Sequence, residues 1–262
     1  MAGTPPTWDP DRYLAYADER GRPFLDLLAR VGAERPADVL DLGCGPGNLT
    51  RLLADRWPAA RIRGLDSSAE MVASARRDVP GVEFAVGDLR GWAGSPDQVD
   101  VLVCNAVLQW LPDHLDLLPD LADRLRPGGW LAFQVPGNSG EPSHTIRAEL
   151  AAREPYAVHT RDVAVPASHD PVAYLAVLTG LGLEAEVWET TYLHVLSGED
   201  AVLRWMSGTS ARPTLQALPD DLRADFEREL RVRLREAYPD EGRGAVLPFR
   251  RIFAVARAEE RS

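Results

Sequence analysis

No lysine occurs in the chain: all 29 of its basic residues are arginine. Without a side-chain amine there is neither a Schiff-base nucleophile nor a Walker lysine, so both chemistries are excluded. Cysteine is scarce as well. Cys44 and Cys104 lack any metal-ligand spacing and read as two small buried hydrophobes in a reduced compartment, so no metal site is expected. No apolar run approaches the eighteen or so residues of a membrane span, and the opening MAGTPPTWDPDRY has neither the basic nor the apolar region of a secretory signal. The expectation is a cytoplasmic protein that makes no membrane contact. Positive charge is also in deficit, 29 basic residues against 40 acidic ones for a net charge of −11. That balance argues against a broad electropositive face for nucleic acid, and an anionic substrate would need a dedicated pocket.

What the chain does have is the stretch ADVLDLGCGPGNLT, Ala37 to Thr50. A short apolar run broken by Asp41 ends in Gly43, Gly45 and Gly47, and an amphipathic pattern (Leu49, Leu52, Leu53) follows at once. This spacing predicts strand, glycine turn and helix, a cradle in which bare backbone approaches a nucleotide or nucleoside. A dinucleotide fingerprint asks for glycines at the first, third and sixth positions; counted from Gly43 the sixth is Asn48, and Gly47 stands at the fifth. A nicotinamide dehydrogenase therefore fits poorly. The stretch resembles instead the first motif of the Rossmann-like methyltransferases that use S-adenosylmethionine, in which an acid precedes the glycines as Asp41 does here. Asp66 closes the next strand, in RIRGLDSS, where a carboxylate can accept both ribose hydroxyls. Asp88 ends the strand VEFAVGD; an acid there either accepts from the exocyclic amine of adenine or caps the next turn.

With 262 residues, 45% hydrophobic and 26% charged, the chain is sized for one α/β domain with insertions. Leu25, Leu27, Leu28 and Val31 mark a helix before the first strand, with Pro23 at its start, and the aromatic segment before it, with Trp8 and Tyr13, either closes over the cofactor or packs on the sheet. Strand two covers 61–65, and Ser67 or Ser68 caps the helix SSAEMVASARRD. VDVLVCNA is a continuous apolar run suited to the buried middle of a parallel sheet and ends at Asn105. Leu117, Leu118, Leu121 and Leu125 mark the next helix, and GWLAFQVPG is strand five after a Pro-Gly-Gly turn. Leu108 and Trp110 either wall an adenine or belong to the core. Beyond these come a loop-rich segment, 138–172, a helix over 171–181 and the alternating strand LEAEVWETTYLHVL. An excursion of roughly fifty residues follows, with a stripe of Leu222, Phe226, Leu230, Leu234 and Tyr238, before the closing strand FRRIFAVARA. If strand six runs parallel to the first five, the excursion starts at the rim that carries the glycine turn, and the last strand returns antiparallel. Tyr192, His194, Trp205, Arg212, Arg250 and Arg251 then neighbour the transferred group, since open α/β sheets bind ligands at the carboxyl ends of their strands.

The runs WDPDRYLAYADERGRP, VLDLGCGPGN, GLDSSAEM, NAVLQWLPDH, ETTYLHVL, RWMSGTSARPTLQ and FRRIFAVAR together resemble the trans-aconitate 2-methyltransferase family over nearly the whole length. The resemblance implies an α/β fold: a Rossmann-like seven-stranded methyltransferase sheet with the last strand antiparallel and helical insertions forming a lid. It implies one domain over 1–262, with a cofactor-covering arm and helix at 8–30, a cofactor-binding core at 31–137, and substrate insertions at 138–172 and 197–247. The implied cofactor is S-adenosylmethionine, held by Asp41, Gly43, Cys44, Gly45, Gly47, Asp66, Ser67, Met71, Asp88, Leu89, Asn105 and Trp110. The implied substrate is trans-aconitate or a related small tricarboxylate, contacted by Tyr13, Asn138, His144, Tyr192, His194, Trp205, Arg212, Arg250 and Arg251. The product is a monomethyl ester, made by a monomer or weak homodimer.

A carboxylate with a pKa near 4 is already ionised at neutral pH, so no catalytic base is nominated. Arginines are the natural partners for the remaining carboxylates, Arg212 first and one of Arg250 and Arg251 second. The alternatives are a methyltransferase of the same fold acting on another acid or on a hydroxyl, for which His144 or His194 would be the base, and a module that binds S-adenosylmethionine without turnover.

Overall fold

The computed structural model describes residues 17–260; the expectations for Trp8 and Tyr13 lie outside the described residues. The chain divides into two compact units. One comprises the residues up to Pro136, Ser168–Thr190 and those from Arg251 onward; the other comprises Gly137–Ala167 and Thr191–Arg250.

The first is a sheet unit. Helix α1 (Ala17–Leu28) leads to β1 (Asp38–Leu42), α2 (Thr50–Arg56), β2 (Arg61–Asp66), α3 (Ala69–Asp78), β3 (Glu83–Val86), α4 (Leu89–Ala93), β4 (Val99–Asn105), α5 (His114–Ala122) and β5 (Leu125–Pro136). The strand order is β3-β2-β1-β4-β5-β7-β6, where β6 is Glu184–Leu196 and β7 is Ala245–Arg257. The first five strands run parallel, and β7 pairs antiparallel with β5 from Trp130↔Arg257 to Pro136↔Arg251. The seven-stranded sheet with its last strand antiparallel is thus the expected one. Its middle strand reads as a nearly unbroken apolar run because helices cover both faces of a parallel sheet: Val101, Leu102, Val103 and Cys104 are all fully buried.

Three details depart from the expectations. Pro23 lies inside α1, not at its start: the helix begins at Ala17, and buried Gly21 and Pro23 extend the packed face of Phe24, Leu27 and Leu28 on its N-terminal side. Leu25 is off that stripe and 53% exposed. Leu125 belongs to β5, not to the preceding helix: α5 stops at Ala122, and Leu125 pairs with Val99 before the register shifts at the Pro-Gly-Gly turn.

The starts of the central strands are pinned by charge. Arg63 donates to Asp38 and Asp97, and Asp100 accepts the N–H groups of Ala37 and Asp38. Against the sheet, α5 and α8 (Pro171–Gly180) share one buried polar contact. The Leu111 carbonyl lies 2.7 Å from His114 Nδ1 and can only accept, so that nitrogen carries the proton. His114 Nε2 therefore accepts from the Tyr174 hydroxyl at 2.7 Å, and that hydroxyl in turn accepts from the His169 N–H at 3.1 Å.

The second unit is mostly helical: α6 (Pro142–Ala151), α7 (Ala157–Thr160), α9 (Ala201–Ser207), α10 (Arg212–Ala217) and α11 (Asp220–Ala237). The expected stripe is the buried face of α11, with Phe226, Leu230 and Leu234 inside and the Tyr156 ring edge-on to Phe226 at 5.1 Å. The remaining halves of β6 and β7 belong to this unit. Among the described residues no helix is long and apolar enough to cross a membrane.

The His114 contact predicts a pH effect. Burial holds the imidazole below its ordinary pKa of 6.5, so it is neutral in the fold and takes up a proton on unfolding in mild acid. Its contribution to stability is fully present above pH 6.5 and is lost as the pH falls below that value. Tyr174→Phe, which strands His114 Nε2, lowers the unfolding free energy by about 1–3 kcal/mol in urea denaturation at neutral pH. An unchanged midpoint would refute the contact.

Candidate active site

At the carboxyl end of β1 the chain turns sharply. The N–H groups of Gly43 and Cys44 both donate to the Leu65 carbonyl, at 2.7 and 3.1 Å, which ties the turn to β2. Gly43 has φ +75°, and a Cβ there would stand 2.1 Å from Val107 Cγ2, so conformation and space both demand glycine. Gly45 has φ +55°, but a Cβ on it would meet nothing within 4 Å. Its bare face is open, as the backbone of a ligand cradle must be. Gly47 packs against Ala75 and Phe84.

Asp66 stands at the tip of β2 and holds the rim together. Its Oδ2 accepts the Gly45 N–H at 2.8 Å and its Oδ1 accepts the Ser68 N–H at 2.9 Å, which leaves each oxygen a further lone pair. Burial pushes its pKa up, while the two N–H groups pull it down. Asp41 lies beneath the turn, 2% exposed, and accepts from the Thr50 hydroxyl at 2.7 Å. Burial, reinforced by the charge of Asp66, pushes the Asp41 carboxyl up to about 7 against the pull of that hydroxyl. The structure therefore brings together a buried carboxylate, Asp41, a partly buried one, Asp66, and an open glycine face, with no cation paired to either acid among the described residues. A ligand with hydroxyls for Asp66 and positive charge for the pair suits this donor set, and a ribosylated sulfonium such as S-adenosylmethionine has both.

The other sequence-predicted residues of this unit fall along the same rim. Ser68, not Ser67, caps α3, its hydroxyl accepting the Met71 N–H at 3.2 Å; Ser67 is exposed and Met71 buried. Asp88 is exposed and caps α4 through Gly91, and Leu89 is buried behind it. The Cys44 thiol is buried and driven upward in pKa by burial and by Asp41 and Asp66, so it is no nucleophile at neutral pH. Trp110 is partly buried, whereas Leu108 is core. Asn105 ends a buried polar row: the Gln134 amide donates to its Oδ1 at 2.7 Å, and Arg251 Nη1 donates to Gln134 Oε1 at 3.1 Å. Ala106, next in the chain, is held at φ +56°, a strained conformation for a residue with a Cβ.

In the helical unit, His194, Trp205 and Phe249 form a buried aromatic cluster with ring centroids 4.8 to 5.9 Å apart, and Tyr192 stacks on His194. Asn138 is 1% exposed; its amide donates to the Pro248 carbonyl at 3.2 Å, and its Oδ1 has no hydrogen-bond partner among the described residues. Arg212 opens α10, partly buried. Arg250 donates to the Gly137 carbonyl, while its neighbour Arg251 is the buried one of the pair. His144 Nδ1 lies 3.1 Å from the Ser143 hydroxyl, and burial together with the Arg147 charge lowers its pKa to about 4. The sequence reading passes over Arg147 and Thr214, both buried and joined by a 2.9 Å hydrogen bond. The available signal was spacing: Ser143, Arg147 and Leu150 fall on one helical stripe, which is the buried face of α6.

A family model described as a methyltransferase domain matches residues 39–129, from β1 into β5. Relatives extend the likeness to the whole chain. The trans-aconitate 2-methyltransferase of Streptomyces avermitilis is 52% identical over 270 residues, covering 99% of this chain and 100% of its own. The chain belongs to the trans-aconitate 2-methyltransferase family. The protein of that name from Mycobacterium tuberculosis is 49% identical over 253 residues, 95% of this chain and 96% of its own. Among solved structures, a Haemonchus contortus phosphoethanolamine N-methyltransferase bound to S-adenosylhomocysteine superposes with a TM-score of 0.54 at 16% identity, over 92% of this chain and 53% of its own, a likeness of fold. This member of the trans-aconitate 2-methyltransferase family is thus a methyltransferase, with S-adenosylmethionine as methyl donor.

The two glycines separate packing from binding. Gly43→Ala meets Val107 and lowers stability by about 2–4 kcal/mol. Gly45→Ala meets only its backbone penalty, about 1–2 kcal/mol, yet weakens the donor, because its Cβ stands in the open face. Denaturation and donor titration on the two variants check the contrast. Equal stability losses would refute it.

Proposed function

We propose that this chain transfers the methyl group of S-adenosylmethionine to one carboxylate of trans-aconitate, forming a monomethyl ester without a general base. The observation that supports the donor half is the buried carboxylate of Asp41 and the partly buried one of Asp66, neither paired to a cation among the described residues, beside an open glycine turn. When bound, S-adenosylmethionine supplies an electrophilic methyl group on positively charged sulfur. Asp66 takes the ribose hydroxyls on its remaining lone pairs, and Asp41 and Asp66 together provide the negative field for the cation. Cys44, Ser67, Met71, Asp88, Leu89, Asn105 and Trp110 complete the rim.

For the acceptor half, esterification asks the protein to hold an anion, not to make one. Arg212, Arg250 and Arg251 neutralise the acid's carboxylates, while Tyr192, His194, Trp205 and Asn138 shape the surroundings. His144 is no base between pH 6 and 8, since its pKa lies near 4. That removes one of the two bases a hydroxyl acceptor could use. The free acid, not a nucleic acid or membrane, is the partner of a cytoplasmic monomer or weak homodimer; the two reduced cysteines and the net charge of −11 support this reading.

Two outcomes follow. In the donor-free protein Asp41 holds a proton below pH 7, and a cationic ligand favours its ionised form, so binding releases that proton. Donor affinity by calorimetry therefore rises with pH up to about 7 and then levels, with a slope of at most about tenfold per pH unit. Asp41→Asn flattens the profile; a slope that survives in that variant assigns it elsewhere. Second, labelled donor incubated with a panel of di- and tricarboxylic acids yields base-labile methyl ester with trans-aconitate, and kcat at saturation stays level between about pH 7 and 9. A rate climbing through that range, with base-stable product, would replace the ester by an ether.

A further inference from the structure

Arg147 is a buried cation that pairs with no acid among the described residues. On α6 of the helical unit it is 3% exposed, the most deeply buried arginine among the described residues. Only its Nη1 is engaged, donating to the Thr214 hydroxyl at 2.9 Å; its Nε is buried and has no hydrogen-bond partner among the described residues. Exposed arginines just after α6 and on α11 are paired. Arg153 meets Glu229, and Arg233 meets both Glu149 and Glu229. Charge is thus matched where water would screen it and unmatched where water is excluded, the reverse of what stability alone favours.

What surrounds Arg147 is donor-rich and neutral. Thr214, 1% exposed, accepts from the guanidinium and keeps its own proton to donate. Ser143, one turn earlier on the same buried stripe, has its N–H satisfied by the Tyr238 hydroxyl at 3.0 Å and its own hydroxyl against His144 Nδ1. Burial and the Arg147 charge keep His144 uncharged at neutral pH. The Nε edge of a guanidinium presents two parallel N–H groups, which fit the two oxygens of a carboxylate better than the three-fold face of a phosphate.

We propose that Arg147, assisted by the Thr214 hydroxyl, is a carboxylate receptor that binds one of the non-reacting carboxylates of the acceptor acid. Its identity as part of the acceptor site rests on the methyl-ester reading above; the receptor itself rests on the unmatched guanidinium.

The test uses the full-length protein and three variants, Arg147→Met, Arg147→Lys and, as an exposed control, Arg153→Met. Melting is followed with and without trans-aconitate in the absence of donor, and steady-state kinetics with both substrates. In the wild-type chain the acid raises the melting temperature. In Arg147→Met the acid-free protein melts no lower than wild type, since an unmatched buried charge has gone, while the acid-induced rise disappears. KM for the acid increases about tenfold or more and donor affinity is unchanged. Should Arg147→Met fail to fold, Arg147→Lys decides: a point charge in place of the fork raises KM if a carboxylate is gripped there and leaves KM alone if the residue only supports packing. Wild-type KM and a wild-type melting response in a folded Arg147 variant overturn the proposal, as does an equal rise with inorganic phosphate. The two readings fail separately. Loss of the acid-induced rise in Arg147→Met, alongside a wild-type enzyme that makes no ester, keeps the receptor and removes the esterification; ester formation at unchanged KM does the opposite.

Discussion

The carboxylate of Asp66 holds the rim of the sheet unit in place. By accepting the Gly45 and Ser68 N–H groups it fastens the glycine turn after β1 to the start of α3, so two loops that would otherwise move independently share one anchor. The anchor has an electrostatic consequence. Asp41, buried beneath the same turn, feels both the loss of water and the neighbouring charge, and its proton is retained to near neutrality. Two acids kept close in a dry place repel each other, and the Thr50 hydroxyl and the two backbone N–H groups only partly offset this. What relieves the pair is a cation, and the methyl donor is one.

The helical unit shows the same logic with the opposite sign. Its own acids and bases are matched on the surface, yet Arg147 is placed inside against a hydroxyl. Each unit thus buries a charge with no counter-charge among the described residues, Asp41 beneath the glycine turn and Arg147 on α6. A reaction between a cationic donor and an anionic acceptor accounts for both at once.

Much of this was legible in the residues. β1 and β4 read as apolar runs leading to Gly43 and Asn105 because a parallel sheet buried on both faces leaves little room for polar alternation. The acids of the rim were legible for the same reason: a carboxylate closing such a run has no structural partner in the strand itself. Leu125 was misplaced because leucine suits a helix face and a strand start equally well, and only its pairing with Val99 separates the two. Pro23 misled because proline marks a helix start locally, whereas the buried face of α1 extends across it. Arg147 was invisible for a different reason. An arginine in a loop-rich segment reads as a solvated charge, and what distinguishes it, the absence of an acid within reach, depends on residues such as Thr214 that lie far along the chain.

The low pKa of His144 and the buried charge of Asp41 and Arg147 bear on one constraint. Had the acceptor been a hydroxyl, the site would need a group with a pKa near neutrality to take its proton, and His144 is pushed well below that range by its surroundings. A carboxylate arrives already ionised, so the chemical demand moves from proton transfer to charge placement. The nucleophile must be stripped of water to react, which is tolerable only where fixed cations replace the lost solvation of its remaining charges. Arginine meets that demand without titrating, whereas a buried lysine would lose its proton and its charge together. In a chain with no lysine at all, a dry guanidinium such as that of Arg147 is the one side chain that stays positive where the chemistry needs it.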